Sequence, residues 1–189
     1  MPYQFDALCA RFFDCDVQRN VSMAQYTSFR TGGCARALVE PQSVEALQNA
    51  LFVVHEYGLP YEVIGNGTNL LVSDAGIDAV VFRIGEAMGA IRQENGLFFA
   101  EAGASFAALA KRTVECGFMG LEWAAGIPGS VGGAIAMNAG AYGGEVAETV
   151  QRLTYVDAAS GALVDEAPAE GTFGYRFSAY RAPDRIVVS

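Results

Sequence analysis

Ala125-Gly126-Ile127-Pro128-Gly129-Ser130-Val131-Gly132-Gly133-Ala134 is the stretch on which the reading of this chain turns. It sits inside a longer run, Trp123 to Gly144, that carries no charged side chain. That length matches a membrane span. Seven glycines, Pro128 and Asn138 interrupt it, and it has no long aliphatic run, so it reads as loop and closely packed backbone. Pro128-Gly129 is a turn signal. Gly132-Gly133 leaves a strip of backbone bare of side chains, which a flat ring or a pyrophosphate needs for close approach. A close crossing of two backbones in the core needs the same thing, and the pattern alone does not separate the two.

Upstream, Ser105 to Cys116 reads as a helix with Ser105 as cap, Phe106, Leu109 and Ala110 on the inner face and Gly117 as stop. Leu97 to Ala102 and Asp78 to Arg83 read as strands. A second helix spans Ser43 to Tyr57, with Val44, Leu47, Leu51 and Val54 on one face and Gly58 and Pro60 behind it. A short strand, Tyr61 to Ile64, follows and runs into Gly65-Asn66-Gly67-Thr68-Asn69, after which Leu70-Leu71-Val72 resumes an extended pattern. The first glycine loop therefore ends a strand, where α/β proteins commonly place ligands. Its successive N–H groups can converge on phosphate oxygens, with Thr68 and Asn69 adding side-chain donors. The other reading is a tight turn between two strands. No Gly-Lys-Ser/Thr follows, so it is not a P-loop, and Leu70 breaks the dinucleotide G-x-G-x-x-G. Neither glycine loop contains lysine, so dipoles would hold an anion, with arginine supplied from elsewhere.

Downstream, Asn138-Ala139-Gly140-Ala141-Tyr142-Gly143-Gly144 reads as loop, with Glu145 opening a short helix. Arg152 to Asp157 and Ala162 to Asp165 read as a hairpin. Phe173-Gly174-Tyr175-Arg176-Phe177-Ser178-Ala179-Tyr180-Arg181 is either an amphipathic strand with its arginines in solvent, or a mount that presents Arg176 to a carboxylate or enolate with Tyr175 and Ser178 as hydrogen-bond partners. Ile186-Val187-Val188-Ser189 reads as a final strand without a polar tail, which suggests a protein cut before its last domain. The order of elements predicts an α+β chain in two lobes, the first over residues 1–72 and the second over 73–189.

Composition narrows the function classes. The chain has 189 residues and a net charge of -9, from 12 Lys and Arg against 21 Asp and Glu, with no basic run to suit a nucleic-acid backbone. Four cysteines at 9, 15, 34 and 116 lack Cys-x-x-Cys spacing, and His55 is the one histidine, so no metal site is expected. Free thiols and the absence of a basic-then-apolar leader point to the cytoplasm, without a membrane partner.

Four segments in order resemble the UDP-N-acetylenolpyruvoylglucosamine reductase family, also called UDP-N-acetylmuramate dehydrogenases. They are Thr27-Ser28-Phe29-Arg30-Thr31-Gly32-Gly33, Gly65 to Asp74, Gly126 to Glu145, and Tyr175-Arg176-Phe177-Ser178. The resemblance covers about residues 20–189, and the pair Gly-Ile-Pro-Gly-Ser-Val-Gly-Gly and Asn-Ala-Gly-Ala-Tyr-Gly-Gly-Glu is its most specific part. Asn66 and Thr68 stand where the family often has Gly and Ser. The resemblance implies a two-lobed FAD-binding fold of the vanillyl-alcohol oxidase type, with FAD held non-covalently between the lobes. It implies a flavin site made of Ile64, Gly65, Asn66, Gly67, Thr68, Asn69, Leu70, Gly126, Ile127, Pro128, Gly129, Ser130, Gly132, Gly133 and Asn138. It also implies that NADPH reduces the flavin, which then reduces the enolpyruvyl double bond of a UDP-sugar. Arg176 matches the arginine that stabilises the enolate, and Tyr175 and Ser178 fall at substrate. The family's proton-donating serine and a second catalytic carboxylate belong in or beyond a third, substrate-binding domain, past the last residue here. The alternatives are a flavin- or nucleotide-binding module without catalysis by itself, and an oxidase of the same fold, which would not need Tyr175-Arg176-Phe177-Ser178.

Overall fold

Ser43 accepts a hydrogen bond from the Ala46 N–H at 3.1 Å and so caps α1, Val44–Glu56. The helix buries Ala46, Leu47, Ala50, Leu51, Val53 and Val54, a wider stripe than the one read from sequence. This helix and everything below come from a computed structural model that describes residues 8–189; the first seven residues of the expected first lobe lie outside the described ones. The chain divides into two compact units, one ending at Ala87 and one running from Met88 to Ser189.

The first unit is built on a four-stranded sheet. β1 (Cys15–Ser22) lies antiparallel to β2 (Cys34–Pro41), and β3 (Tyr61–Ile64) and β4 (Ile77–Arg83) complete the order β1-β2-β4-β3. β4 runs parallel to both neighbours, with Val81 opposite Leu38 on one side and Glu62 on the other. Val80, Val81 and Phe82 are all fully buried, the continuous apolar run expected of a parallel strand covered on both faces. The unit extends past Val72, where the sequence placed its end, because β4 is an interior strand of this sheet. Leu70-Leu71-Val72 form no strand. Two parallel neighbours must be joined by a crossover, and residues 65–76 are that crossover, with Val72 buried beside Val21, Met23 and Leu38.

The second unit opens with a hairpin of β5 (Ile91–Glu94) and β6 (Leu97–Ala100), whose Asn95-Gly96 turn has φ of +51° and +77°. Such a turn matches the strand twist. The sequence reading found β6 but not β5, since Arg92, Gln93 and Glu94 are exposed and give no apolar signal. α2 (Phe106–Glu115) is capped by Ser105 and buries Phe106, Leu109, Ala110 and Thr113. α3 (Val131–Ala136) follows the second glycine loop. Two very short ladders come next: β7 (Gly140–Ala141) with β8 (Gly144–Glu145), and β11 (Phe173–Gly174) with β12 (Phe177–Ser178). Glu145 caps a 3-10 turn over Val146–Glu148 through a reciprocal capping box with Glu148. β9 (Leu153–Asp157) pairs with β10 (Leu163–Glu166) in the expected hairpin and with β13 (Arg185–Val187) on its other edge.

Phe82 is the largest fully buried side chain of the first unit, with the rings of Phe12 and Tyr61 at 6.4 and 5.8 Å. Phe82→Ala should lower stability in equilibrium urea unfolding by about 3–5 kcal/mol. A loss below about 1 kcal/mol would show that β4 is not the centre of this core.

Candidate functional site

In the first unit the candidate residues gather at the end of β3. Ile64 and Leu70, at the two ends of the loop, turn their side chains into the core cluster of Val21, Met23, Ala35, Leu38, Val72 and Val81. Between them, Gly67 has φ of +64° and is buried. A Cβ there would lie 1.8 Å from the Tyr26 carbonyl oxygen, and the Ser28 N–H donates to the Gly67 carbonyl at 3.1 Å. The glycine is therefore required by the chain's own backbone: it lets residues 65–69 lie directly on residues 26–28. The N–H groups of Gly65, Asn66 and Gly67 go to no acceptor among the described residues. Asn66 and Asn69 are exposed and Thr68 is half-buried.

This arrangement walls a polar cavity of about 410 Å³, lined by Gln25, Tyr26, Thr27, Ser28, Arg30, Asn66 and Arg83. Arg83 pairs with Glu40 at 2.7 Å, both largely buried, and its guanidinium lies 5.4 Å from the Tyr26 ring centre. Gln18 donates to the Tyr26 hydroxyl at 2.9 Å, which fixes that ring. Arg30 holds φ of +54°, a conformation L side chains rarely adopt, while its N–H donates to the Thr27 carbonyl. Here are the arginines that the glycine loops lack. Arg30 lies in Thr27 to Gly33, one of the segments that carry the family resemblance, and Arg83 ends the strand read at Asp78 to Arg83.

The second loop is committed differently. The Val131 N–H donates to the Ala104 carbonyl at 2.9 Å, the Gly132 N–H to the Ala102 carbonyl at 2.8 Å, and the Gly133 N–H to the Ser130 hydroxyl at 3.3 Å. The first turn of α3 thus uses its donors inside the protein. A Cβ on Gly132 would lie 2.9 Å from the Ala102 Cβ, so this glycine serves a close crossing of two backbones. Ser130 is 2% exposed and acts as the cap of α3. The open part of the loop is Gly126 to Gly129. Gly126 is exposed, and a Cβ there would meet nothing within 4 Å. Gly129, at φ of +131°, accepts from the Phe106 N–H and ties the loop to the start of α2. Another cavity, of about 490 Å³ on the outer side of α2 around Ala108, Lys111 and Glu122, is lined by none of the sequence-predicted residues.

The third group sits on the β11–β12 hairpin, with Tyr175 and Arg176 as its two-residue turn. Tyr175 is 90% exposed, and the Arg176 guanidinium lies 5.8 Å from its ring centre. Arg176 has φ of +54°, at a place where turns usually carry Gly or Asn. Ser178 is 1% exposed, and its hydroxyl accepts from the Tyr180 N–H at 3.0 Å, so it caps the turn Ala179–Arg181. Burial first, and then the 2.7 Å hydrogen bond to Glu166, push the Tyr180 phenol above its ordinary value, so it remains a neutral donor. Asn138 is likewise buried, with both ends of its amide engaged inside the unit.

The FAD binding domain family matches residues 35–166, which includes both glycine loops. The chain belongs to that family. Its FAD binding domain is similar to the UDP-N-acetylenolpyruvoylglucosamine reductase of Limosilactobacillus fermentum, 40% identical over 185 residues, 98% of this chain and 61% of that protein. It is similar also to the reductase of the same name from Lactiplantibacillus plantarum, 42% identical over 180 residues, 95% of this chain and 59% of that protein. Among solved structures it resembles UDP-N-acetylenolpyruvylglucosamine reductase from Thermus caldophilus, with a TM-score of 0.76 and 34% identity over 92% of this chain and 60% of that one. BBE-like 1 of Physcomitrella patens shares the fold at a TM-score of 0.62 and 17% identity. The expected α+β FAD-binding fold is therefore the one present. The chain spans about 60% of the length of these reductases. No group of three or more His, Cys, Asp or Glu among the described residues could hold a metal ion, and no described helix is long and apolar enough to cross a membrane.

The two kinds of glycine separate experimentally. Gly67→Ala should cost about 2 kcal/mol or more in urea unfolding, from the left-handed backbone and the contact with Tyr26 together. Gly126→Ala should stay within about 0.5 kcal/mol of the parent. Equal losses in both would mean that the loop at 126 is packed as tightly as the loop at 67.

Proposed function

We propose that the chain is the FAD-holding portion of an NADPH-dependent reductase that converts UDP-N-acetylglucosamine enolpyruvate to UDP-N-acetylmuramate, a peptidoglycan precursor. The observation that carries this reading is the 40% identity to such a reductase over 98% of the chain, combined with an arginine held in a left-handed turn at Arg176. The fit to FAD rests on the loop at 65–69. Its N–H groups at Gly65, Asn66 and Gly67 have no described acceptor, and they adjoin a cavity containing Arg30 and Arg83. Such a set suits the two negative charges of a diphosphate. Thr68 and Asn69 add side-chain donors, and Gly126, Ile127, Pro128 and Gly129 offer backbone that a ring can approach. Bound FAD would supply a two-electron carrier between NADPH and the enolpyruvyl double bond.

The chain's own residues set the electrostatics. Arg176, 5.8 Å from the Tyr175 ring centre, offers a planar cation to the enolpyruvyl carboxylate, where negative charge grows as the double bond is reduced. A group of this kind accelerates the reaction because it binds the transition state more strongly than the substrate. Ser130, Gly132, Gly133, Asn138 and Ser178 act one step back, by fixing the backbone that carries the contacting groups. A second reading, flavin holding without turnover by these residues alone, is favoured by the 61% of the reductase's length that the chain spans. Cytoplasmic location goes with either reading.

The purified protein should carry or take up FAD, seen as oxidised-flavin absorbance, and should take up no ATP; tight ATP binding without flavin affinity would sink the proposal. Stopped-flow reoxidation of the reduced, flavin-loaded protein by the enolpyruvyl substrate separates the two readings. Where reoxidation occurs, Arg176→Ala should slow it by about 10²–10³-fold with FAD affinity unchanged. Equal rates in mutant and parent would remove Arg176 from the chemistry.

A further inference from the structure

Asn138 is 1% exposed and stands just past the end of α3 at φ of +41°. Its Nδ2 donates to the Gly174 carbonyl at 3.0 Å, and its Oδ1 accepts the Ala147 N–H at 3.0 Å. Its own N–H donates to the Ile135 carbonyl at 3.1 Å, so it is anchored to the helix. Ala147 belongs to the 3-10 turn Val146–Glu148, which is fixed by its capping box. Gly174 immediately precedes the Tyr175-Arg176 turn and pairs with Phe177 across it. Thus one side chain connects the end of α3, the 3-10 turn and the base of the hairpin that carries Arg176.

That hairpin is short and strained at its turn. Each of its strands has two residues, and an isolated short hairpin is marginal in water. Its turn also contains a left-handed arginine, a strained conformation that persists only where the surroundings impose it. The far side is secured by the Ser178 cap and by the Ala179 N–H, which donates to the Thr172 carbonyl. On the near side, the Phe173 ring packs 5.9 Å from the ring of buried Tyr180, and the hydrogen bond from Asn138 to the Gly174 carbonyl is the polar side-chain tie next to the turn. We propose that Asn138 is a positioning residue for Arg176: its amide clamps Gly174 and thereby sets the left-handed turn from which the guanidinium projects. The catalytic half of this inference rests on the function proposed above.

The chemistry leaves few substitutes. The position needs a residue that tolerates positive φ, donates at one end and accepts at the other, and asparagine does all three. Aspartate at the same place can still accept from the Ala147 N–H but faces the Gly174 carbonyl with a second acceptor. Glycine tolerates the backbone but offers no amide.

The test uses the flavin-loaded chain and the substitutions Asn138→Asp and Asn138→Gly. Order parameters from ¹⁵N relaxation should fall for Tyr175, Arg176 and Phe177 from about 0.85 to below about 0.6, with β9 and α2 unchanged. Unaltered order at these three residues in both variants would overturn the proposal. So would collapse of the whole second unit in both, because Asn138 would then hold the unit and not the hairpin. In the reoxidation assay both variants should lose about 10²-fold in the saturating rate while FAD affinity stays as in the parent. Parental rates alongside a loosened hairpin would overturn the catalytic half. If the parent itself is not reoxidised by the enolpyruvyl substrate, these residues hold flavin without turnover by themselves, and the relaxation measurement still decides whether Asn138 positions Arg176.

Discussion

The first unit depends on one contact without a side chain in it: Gly67 resting on the peptide of Tyr26, where a Cβ would stand 1.8 Å from the carbonyl oxygen. Only bare backbone allows two loops to lie this close. The Ser28 N–H then reaches the Gly67 carbonyl, and the loop is held through its acceptor side. Its donors at Gly65, Asn66 and Gly67 meet no acceptor among the described residues. The contact also brings residues 25–30 beside Asn66, which creates the polar cavity and carries Arg30 into its wall. The loop's shape, its donors without a described acceptor and the place of Arg30 in the wall follow from a single close approach.

The glycine loop of the second unit looks similar in sequence and is used in the opposite way. Its bare backbone at Gly132 packs on Ala102, and the N–H groups of Val131, Gly132 and Gly133 are spent on carbonyls and a hydroxyl of the same unit. A buried N–H must find an acceptor somewhere. Where the acceptor is internal, a glycine-rich segment is a packing device. Where none is described, as at Gly65 to Gly67, the segment can receive an anion. Counting donors distinguishes the two loops, which their sequences do not.

That distinction marks how far the sequence could be read. Helices with a serine cap and an apolar stripe, α1 and α2, were legible because capping and periodicity are local. The β9–β10 hairpin was legible for the same reason. The expected strand at residues 70–72 and the first unit's expected end near Val72 differ from the structure through one fact: β4 returns to pair between β2 and β3, a long-range event that no local pattern records. The positions of both glycine loops and of Arg176 were legible too, through their resemblance to a family. The roles of Ser130, Asn138 and Ser178 were not. Each is a polar residue in a glycine-rich or aromatic segment, and only its buried partner reveals that it serves the backbone. Arg30 and Arg83 were missed as a pair because 53 positions of sequence separate two residues that line one cavity.

Arg30 and Arg176, like Tyr142, each hold a backbone angle of +54° that glycine would adopt without strain. Judged by folding alone, both positions are occupied by the wrong residue. Glycine at either place would relax the backbone and remove the guanidinium in the same step, so at these two positions stability and charge cannot be raised together.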